Sequence, residues 1–234
     1  MTKPNKILVC GCVKYGRIPE INLNGFISAL EKAGIGFELI PDLCRVAAED
    51  PETLCNSGAD MVAACFPRAV KSLFDFAGAD APECIDLRNG EISTALDELG
   101  LEPAGSDPEA KMPEMSGEWT PWFPVIDRDR CVKCGKCVDF CLFGVYRKNP
   151  ENGEIEVCAP ANCKTNCPAC ARMCPVTAII FPKHEDSPIN GGIDDSSTPV
   201  KVDPQAAFDR NLYDKLAARR RNKRSVDLFK DEEK

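Results

Sequence analysis

Histidine is nearly absent from this chain: His184 is the single one in 234 residues. It sits in a polar stretch and reads as a solvated surface group, and no Ser-His-Asp set can be built convincingly around it. Paired carboxylates at a catalytic spacing are missing, as is any phosphate-cradling loop. G-x-G-x-x-G occurs nowhere, and the Gly11–Gly16 loop is too irregular to replace it. The chain is therefore expected to bind neither flavin nor nucleotide. No apolar run approaches the roughly 18–20 residues that span a bilayer. The opening Met1-Thr-Lys-Pro-Asn5 lacks the charged start and apolar stretch of a secretory leader. A cytoplasmic location without direct membrane insertion is the expectation. Basic side chains are the minority, 29 against 37 acidic ones, for a formal charge of -8. That balance excludes a general nucleic-acid binder, which needs clustered Lys and Arg for phosphates, and suits a redox partner with a basic docking face.

Cysteine is what the chain has in excess, with 15 copies. An odd number in a long chain without a leader does not describe a disulfide framework; in a reducing compartment, clustered thiols bind metal. Hydrophobic residues make up 44% of the chain, enough for a packed core.

Residues 1–100 read as an α/β domain with a mainly parallel sheet. Short apolar runs at Ile7–Cys10, Phe37–Ile40, Met61–Phe66 and Cys84–Leu87 alternate with helical stripes. The stripes are Leu23, Phe26, Ile27, Leu30, then Val70, Leu73, Phe74, Ala77, and finally about 93–99. Residues 101–124 carry five prolines and two glycines and read as a linker. Its Trp119 and Trp122 are expected to pack onto a neighbour and help attach the chain to a partner. Residues 125–183 hold the densest cysteines. Residues 184–234 form a polar tail with a helix at about 204–224, where Phe208, Leu212 and Leu216 recur at four-residue spacing after the N-cap candidate Asp203. Its basic end, Arg219–Arg224, complements the helix dipole.

Two motifs dominate the cysteine-rich segment: Cys131-x2-Cys134-x2-Cys137-x3-Cys141, and Cys163-x3-Cys167-x2-Cys170-x3-Cys174-Pro175. Such spacing lets three thiolates of one tight loop reach three corners of a cubane, while the fourth, at the start of a helix, points toward a second cluster. Anionic soft sulfur matches iron in a cluster. Paired C-x2-C units also bind zinc, but two four-cysteine sets of this spacing, one closed by Cys-Pro, disfavour it. The segment resembles the bacterial dicluster ferredoxin family, which implies an α+β module with two [4Fe–4S] clusters. By that resemblance Cys131, Cys134, Cys137 and Cys174 hold one cluster, and Cys163, Cys167, Cys170 and Cys141 the other. Val125–Asp127 and Ala178–Phe181 would be the family's short strands. Leu142 replaces the usual proline after the fourth cysteine, and one extra residue separates Cys163 from Cys167; neither removes a ligand. Cys158 is a spare thiol.

Six cysteines precede residue 100: Cys10, Cys12, Cys44, Cys55, Cys65 and Cys84. Singly, each reads as a small buried hydrophobe. Cys10, Cys12, Cys44, Cys65 and Cys84, however, fall at or just beyond the ends of expected strands, the edge where open α/β sheets bind ligands. Val9-Cys-Gly-Cys12, Asp42-Leu-Cys44, Val62-Ala-Ala-Cys-Phe-Pro-Arg68 and Cys84 followed by Asn89 resemble the N-terminal domain of the A subunit of heterodisulfide reductases. That resemblance implies a third [4Fe–4S] cluster on Cys12, Cys44, Cys65 and Cys84, with Cys10 the alternative to Cys12. The flavin domain that follows in that family is missing. Arg68 reads either as a charge beside a cluster or as a surface group.

The function expected is a non-catalytic electron-transfer subunit. It would relay single electrons between a catalytic oxidoreductase subunit and a second carrier protein in an anaerobic hetero-oligomer, either heterodisulfide-reductase-like or tungsten- or molybdenum-dependent. The alternatives are a catalytic or a redox-sensing iron–sulfur protein that uses the N-terminal cysteine site.

Overall fold

The computed structural model describes residues 4–88, 92–103, 112–114 and 119–192. The expected tail helix at 204–224 and Asn89 lie outside the described residues. The apolar runs form β1 (Lys6–Cys10), β2 (Gly36–Ile40), β3 (Met61–Ala64) and β4 (Glu83–Asp86), joined by α1 (Glu20–Ala33), α2 (Leu43–Glu49), α3 (Pro51–Cys55) and α4 (Pro67–Ala77), with α5 (Ile92–Leu99) following β4. All pairings in this sheet are parallel, in the order β2-β1-β3-β4. Parallel neighbours require crossover helices, and right-handed crossovers sort them by the direction each connection runs. Thus α1 packs with α5, while α2 and α3 pack with α4. Ile7, Leu8 and Val9 are all fully buried, as expected of a strand covered on both faces. Direction reverses between β1 and β3, so the loops leaving those strands diverge and open a crevice at their carboxyl ends.

The Pro41-Asp42 turn is also a helix start. Asp42 caps α2, its Oδ1 accepting from the backbone N–H groups of Cys44 at 3.1 Å and Arg45 at 3.3 Å.

The cysteine-rich segment contributes β5 (Val125–Ile126), α6 (Lys136–Phe140), β6 (Tyr146–Lys148), β7 (Ile155–Val157), α7 (Ala169–Met173) and β8 (Ile179–Ile180). The antiparallel pair β5–β8 joins the two ends of the segment, in the positions expected. The β6–β7 hairpin was not anticipated, although Asn149-Pro150 and Asn152-Gly153 between its strands are turn signals. Alternation along the β5–β8 ribbon has a structural consequence. Val125 and its partner Ile180 join the core of the N-terminal sheet, while Ile126 and its partner Ile179 join a second core with Val145, Tyr146, Ile155 and Phe181.

The tryptophans depart from expectation. Both find partners within the chain: Trp119 stacks on Phe123 at 6.0 Å, and Trp122 is buried between Tyr15 at 5.9 Å and Phe181 at 5.4 Å. Trp122 is therefore internal packing and not an attachment surface. His184 is likewise no solvated group. It is half-buried beside Trp122, its Nδ1 accepts the Asp186 N–H at 2.9 Å, and burial lowers its pKa.

Arg68 is not a surface group. Its guanidinium reaches from α4 to the carbonyls of Thr177 at 3.2 Å and Pro188 at 3.0 Å and pairs with the buried Asp127 at 3.4 Å. At the same seam Gly191 adopts φ +97°, and a Cβ there would lie 2.7 Å from the Ala69 Cβ. Removing Arg68 leaves Asp127 paired with Arg130 at 3.5 Å but strips the Thr177 and Pro188 carbonyls of their side-chain donor. Arg68→Met is expected to destabilise the chain by about 2 kcal/mol, read as a lower denaturant midpoint.

Candidate iron–sulfur sites

The two ferredoxin-type motifs converge as their spacing requires. Tight turns carry the loops: Lys133 and Gly135 in the first and Asn166 in the second have positive φ. Helices α6 and α7 then pack against each other. Cys141, from the first motif, lines one cavity of about 380 Å³ together with Cys163, Cys167 and Cys170 from the second. The remaining wall is mostly apolar, including Pro124, Leu142, Val145 and Tyr146. Of the other four cysteines, Cys131 and Cys137 are close enough to interact electrostatically, and Cys174 Sγ accepts the Ala178 N–H at 3.2 Å. Cys134 lies exposed on the loop between Cys131 and Cys137. Cys137 also senses Cys170, so the two thiol sets adjoin.

Donor chemistry tests the fit of a cluster. The metal-binding side chains in the cavity are four thiols and one carboxylate, Asp139, and no His lines it. Zinc–sulfur bonds of about 2.3 Å would draw four thiolates to within about 4 Å of one another. Among the described residues, no three His, Cys, Asp or Glu side chains come together closely enough to hold a single metal ion. Thiols spread around a volume larger than any one ion fit an iron–sulfur core.

Burial pushes Cys163 and Cys170 up to about 12, with neighbouring thiols adding to the shift; Cys137 is likewise pushed up to about 12, burial first and then Cys170. Tyr146 Oη opposes this at Cys170 by donating to its Sγ at 3.0 Å. Sequence reasoning missed Tyr146, which the unanticipated hairpin delivers. Cys158 stays apart, its thiol directed at the Val145 carbonyl at 3.6 Å.

Four of the N-terminal cysteines, Cys10, Cys12, Cys44 and Cys65, lie at the carboxyl edge of the parallel sheet; Cys84, expected at the end of its strand, is instead the second residue of β4, opposite Val62, with its Sγ 3.6 Å from the Cys65 carbonyl oxygen. Cys10 ends β1, Cys12 follows with φ +50°, Cys44 begins α2, Cys65 follows β3 and Cys84 lies in β4. Cys10, Cys12, Cys44 and Cys65 are buried and Cys84 is partly so, whereas Cys55 is exposed on the far side of α3 near the Ala77 carbonyl. Gly11 lies under Met112, whose Sδ would be 2.7 Å from a Cβ, so a side chain in this turn between two thiols would have to displace the Met112 thioether. Burial raises the pKa of Cys10, Cys44, Cys65 and Cys84. Cys12 contributes at Cys10, Cys44 and Cys65, and Cys65 and Cys10 contribute at Cys84, so each of the five thiols feels at least one other. Cys10 Sγ accepts the Leu43 N–H at 3.3 Å.

A residue from the other end of the chain enters this group. Lys183, just beyond β8, is buried with its Nζ 3.1 Å from Cys12 Sγ and 2.6 Å from Asp42 Oδ2. Burial alone would lower its pKa; Cys44, Cys12 and Asp42 outweigh that, and the net direction is upward. Nothing local in the sequence marks Lys183.

Comparison with known proteins agrees with the geometry of the second half. A family model described as a 4Fe-4S binding domain matches residues 123–146, which include Cys131, Cys134, Cys137 and Cys141. An uncharacterized ferredoxin of Methanocaldococcus jannaschii is 50% identical over 62 residues, covering 26% of this chain and 41% of that protein. Ferredoxin-3 of a Nostoc species is 38% identical, with 24% of this chain matching 75% of it. Pyruvate synthase subunit PorD of M. jannaschii is 33% identical over 79 residues, 34% of this chain and 88% of the subunit. The chain thus spans less than half the length of the first of these relatives and most of the other two.

In the metal-free chain the raised thiols give a pH signature. Cys65, Cys137, Cys163 and Cys170 shift from 9.0 to about 12 on folding. Between those values the unfolded chain has lost protons that the folded chain retains, so folding weakens as pH rises. The denaturant midpoint of the metal-free chain is expected to hold steady below pH 8 and fall from about 9 toward 12, measured by urea titration.

Proposed function

Since the chain belongs to the 4Fe–4S ferredoxins through its cysteine-rich half, we propose that it is an electron-transfer subunit. It would pass single electrons through three [4Fe–4S] clusters inside a multi-subunit oxidoreductase. The observation that carries the reading is the shared cavity: Cys141 of the first motif stands with Cys163, Cys167 and Cys170 of the second, which supports one half of a crossed arrangement in which each motif lends one thiol to the other's set. Cys131, Cys134, Cys137 and Cys174 would hold the second cluster. Cys12, Cys44, Cys65 and Cys84 would hold the third, with Cys10, already accepting the Leu43 N–H, the alternative to Cys12. When bound, such a cluster takes up and gives back one electron with little change of shape.

The chain's own residues hold and tune these sites. Apolar side chains line the wall around Cys163 and Cys170, with Val145 and Tyr146 buried and Leu142 exposed, while the Tyr146 hydroxyl and the Ala178 N–H donate to ligand sulfurs. Donors of this kind favour the more negative state of what the sulfur binds. The organisation supports a heterodisulfide-reductase-like assembly or a tungsten- or molybdenum-dependent one, with a catalytic subunit on one side and an electron carrier on the other. The relative named as a pyruvate synthase subunit supports a place inside a complex. No described helix is long and apolar enough to cross a membrane.

Protein purified without oxygen is expected to contain about twelve iron and twelve acid-labile sulfide per chain, falling to about eight in Cys65→Ala/Cys84→Ala. About eight in both would remove the third cluster and return the N-terminal thiols to packing. Tyr146→Phe deletes one donor to Cys170 and is expected to lower the midpoint potential of one ferredoxin-type cluster while leaving iron content unchanged. EPR-monitored redox titration checks this.

A further inference from the structure

Lys183 is the most unusual residue in the molecule. Its side chain is 4% exposed, and it comes from the segment that leaves β8, yet its ammonium lies among thiols carried by the N-terminal sheet. Burying an ammonium is strongly unfavourable unless it is paired and hydrogen-bonded. Asp42 supplies the pairing, with a side chain 0% exposed. The same carboxylate caps α2 through its other oxygen, which fixes the backbone of Cys44. One acidic side chain therefore sets both a thiol-bearing turn and the position of Lys183. The ammonium also reaches Cys12 Sγ at 3.1 Å and lies 5.7 Å from the centre of the Tyr15 ring.

A clamp between the two halves would not need this arrangement, because other contacts already make one. Arg17 donates to the Lys183 carbonyl, Arg68 to the carbonyls of Thr177 and Pro188, and Arg88 to those of Pro182, His184 and Glu185. Lys183 alone among these cations lies within hydrogen-bond reach of a thiol sulfur. Other charges surround the thiols: Asp42 and Asp86 are acidic, and Arg88 lies near Cys65.

We infer that Lys183 is a positioning residue which completes the N-terminal thiol site from the ferredoxin half and raises the reduction potential of the cluster held there. The inference rests on the third cluster proposed above. A cubane held by four thiolates is an anion in both oxidation states and gains a further negative charge when an electron enters. A fixed ammonium beside Cys12 stabilises the reduced form more than the oxidised one.

The test uses the full chain purified without oxygen, as wild type, Lys183→Gln, Lys183→Arg and Arg68→Met. Iron and sulfide are counted first, then each EPR signal is titrated against potential. The signal missing from Cys65→Ala/Cys84→Ala identifies the N-terminal cluster. The inference expects that signal to move to lower potential in Lys183→Gln, with about twelve iron retained. It should stay near its wild-type value in Lys183→Arg and in Arg68→Met, and the ferredoxin-type signals should not move. Glutamine keeps a hydrogen bond to Asp42, so the variant removes charge while preserving the contact. An unmoved N-terminal signal in Lys183→Gln overturns the inference with the third cluster intact. An equal shift in Arg68→Met overturns it in favour of docking alone. About eight iron in the wild type removes the third cluster itself, and the inference with it.

Discussion

The rest of the structure depends on a two-stranded ribbon buried on both faces. β5 and β8 are each two residues long, and each sends one side chain into each core. Val125 and Ile180 pack with the parallel sheet, and Ile126 and Ile179 with the module that bears the clustered thiols. A slip of one residue in this register would exchange the two sets. Because the ribbon closes the cysteine-rich segment and seals the N-terminal core at once, neither half can shift without exposing buried branched side chains. That the described residues form one compact unit follows from that sharing.

What could be read from the sequence was what short-range chemistry encodes. Cys131–Cys141 and Cys163–Cys174 carry their geometry in their spacing, and the four parallel strands announce themselves as apolar runs separated by helical stripes. Collection of Cys10, Cys12, Cys44 and Cys65 at one edge was also accessible, because the carboxyl ends of parallel strands meet there by topology, whereas Cys84 sits near the start of β4. The strand order adds the crevice, since the β1 and β3 loops that carry three of these thiols diverge at the reversal.

What could not be read are the contacts between residues far apart in the chain. Lys183 and Asp42 are 141 positions apart, and Arg68 and Pro188 are 120. No periodicity or motif links such pairs. Trp122 illustrates the same limit in reverse. An aromatic in a proline-rich stretch looks like an exposed attachment point until Tyr15 and Phe181 are seen to enclose it. Tyr146 was hidden for a different reason: its strand is three residues long, and half of its alternation lies in exposed Arg147 and Lys148.

The seam between the halves separates what fixes docking from what belongs to the site. Arg17, Arg68 and Arg88 grip backbone carbonyls between Thr177 and Pro188, groups that every residue offers. Side-chain identity along that segment is therefore free as far as these contacts are concerned. Lys183 differs because its own side chain turns inward and meets Asp42 and Cys12. Replacing Lys183 alone would leave Asp42 buried without its cation, which is strongly destabilising, whereas well-packed apolar replacements of a whole buried ion pair are often neutral or stabilising. Stability alone therefore does not call for the pair as such. A set of thiols that held an iron–sulfur cluster, as proposed above, would give it a use, because the same burial that makes the charge costly also makes its field felt at short range, with little screening by water.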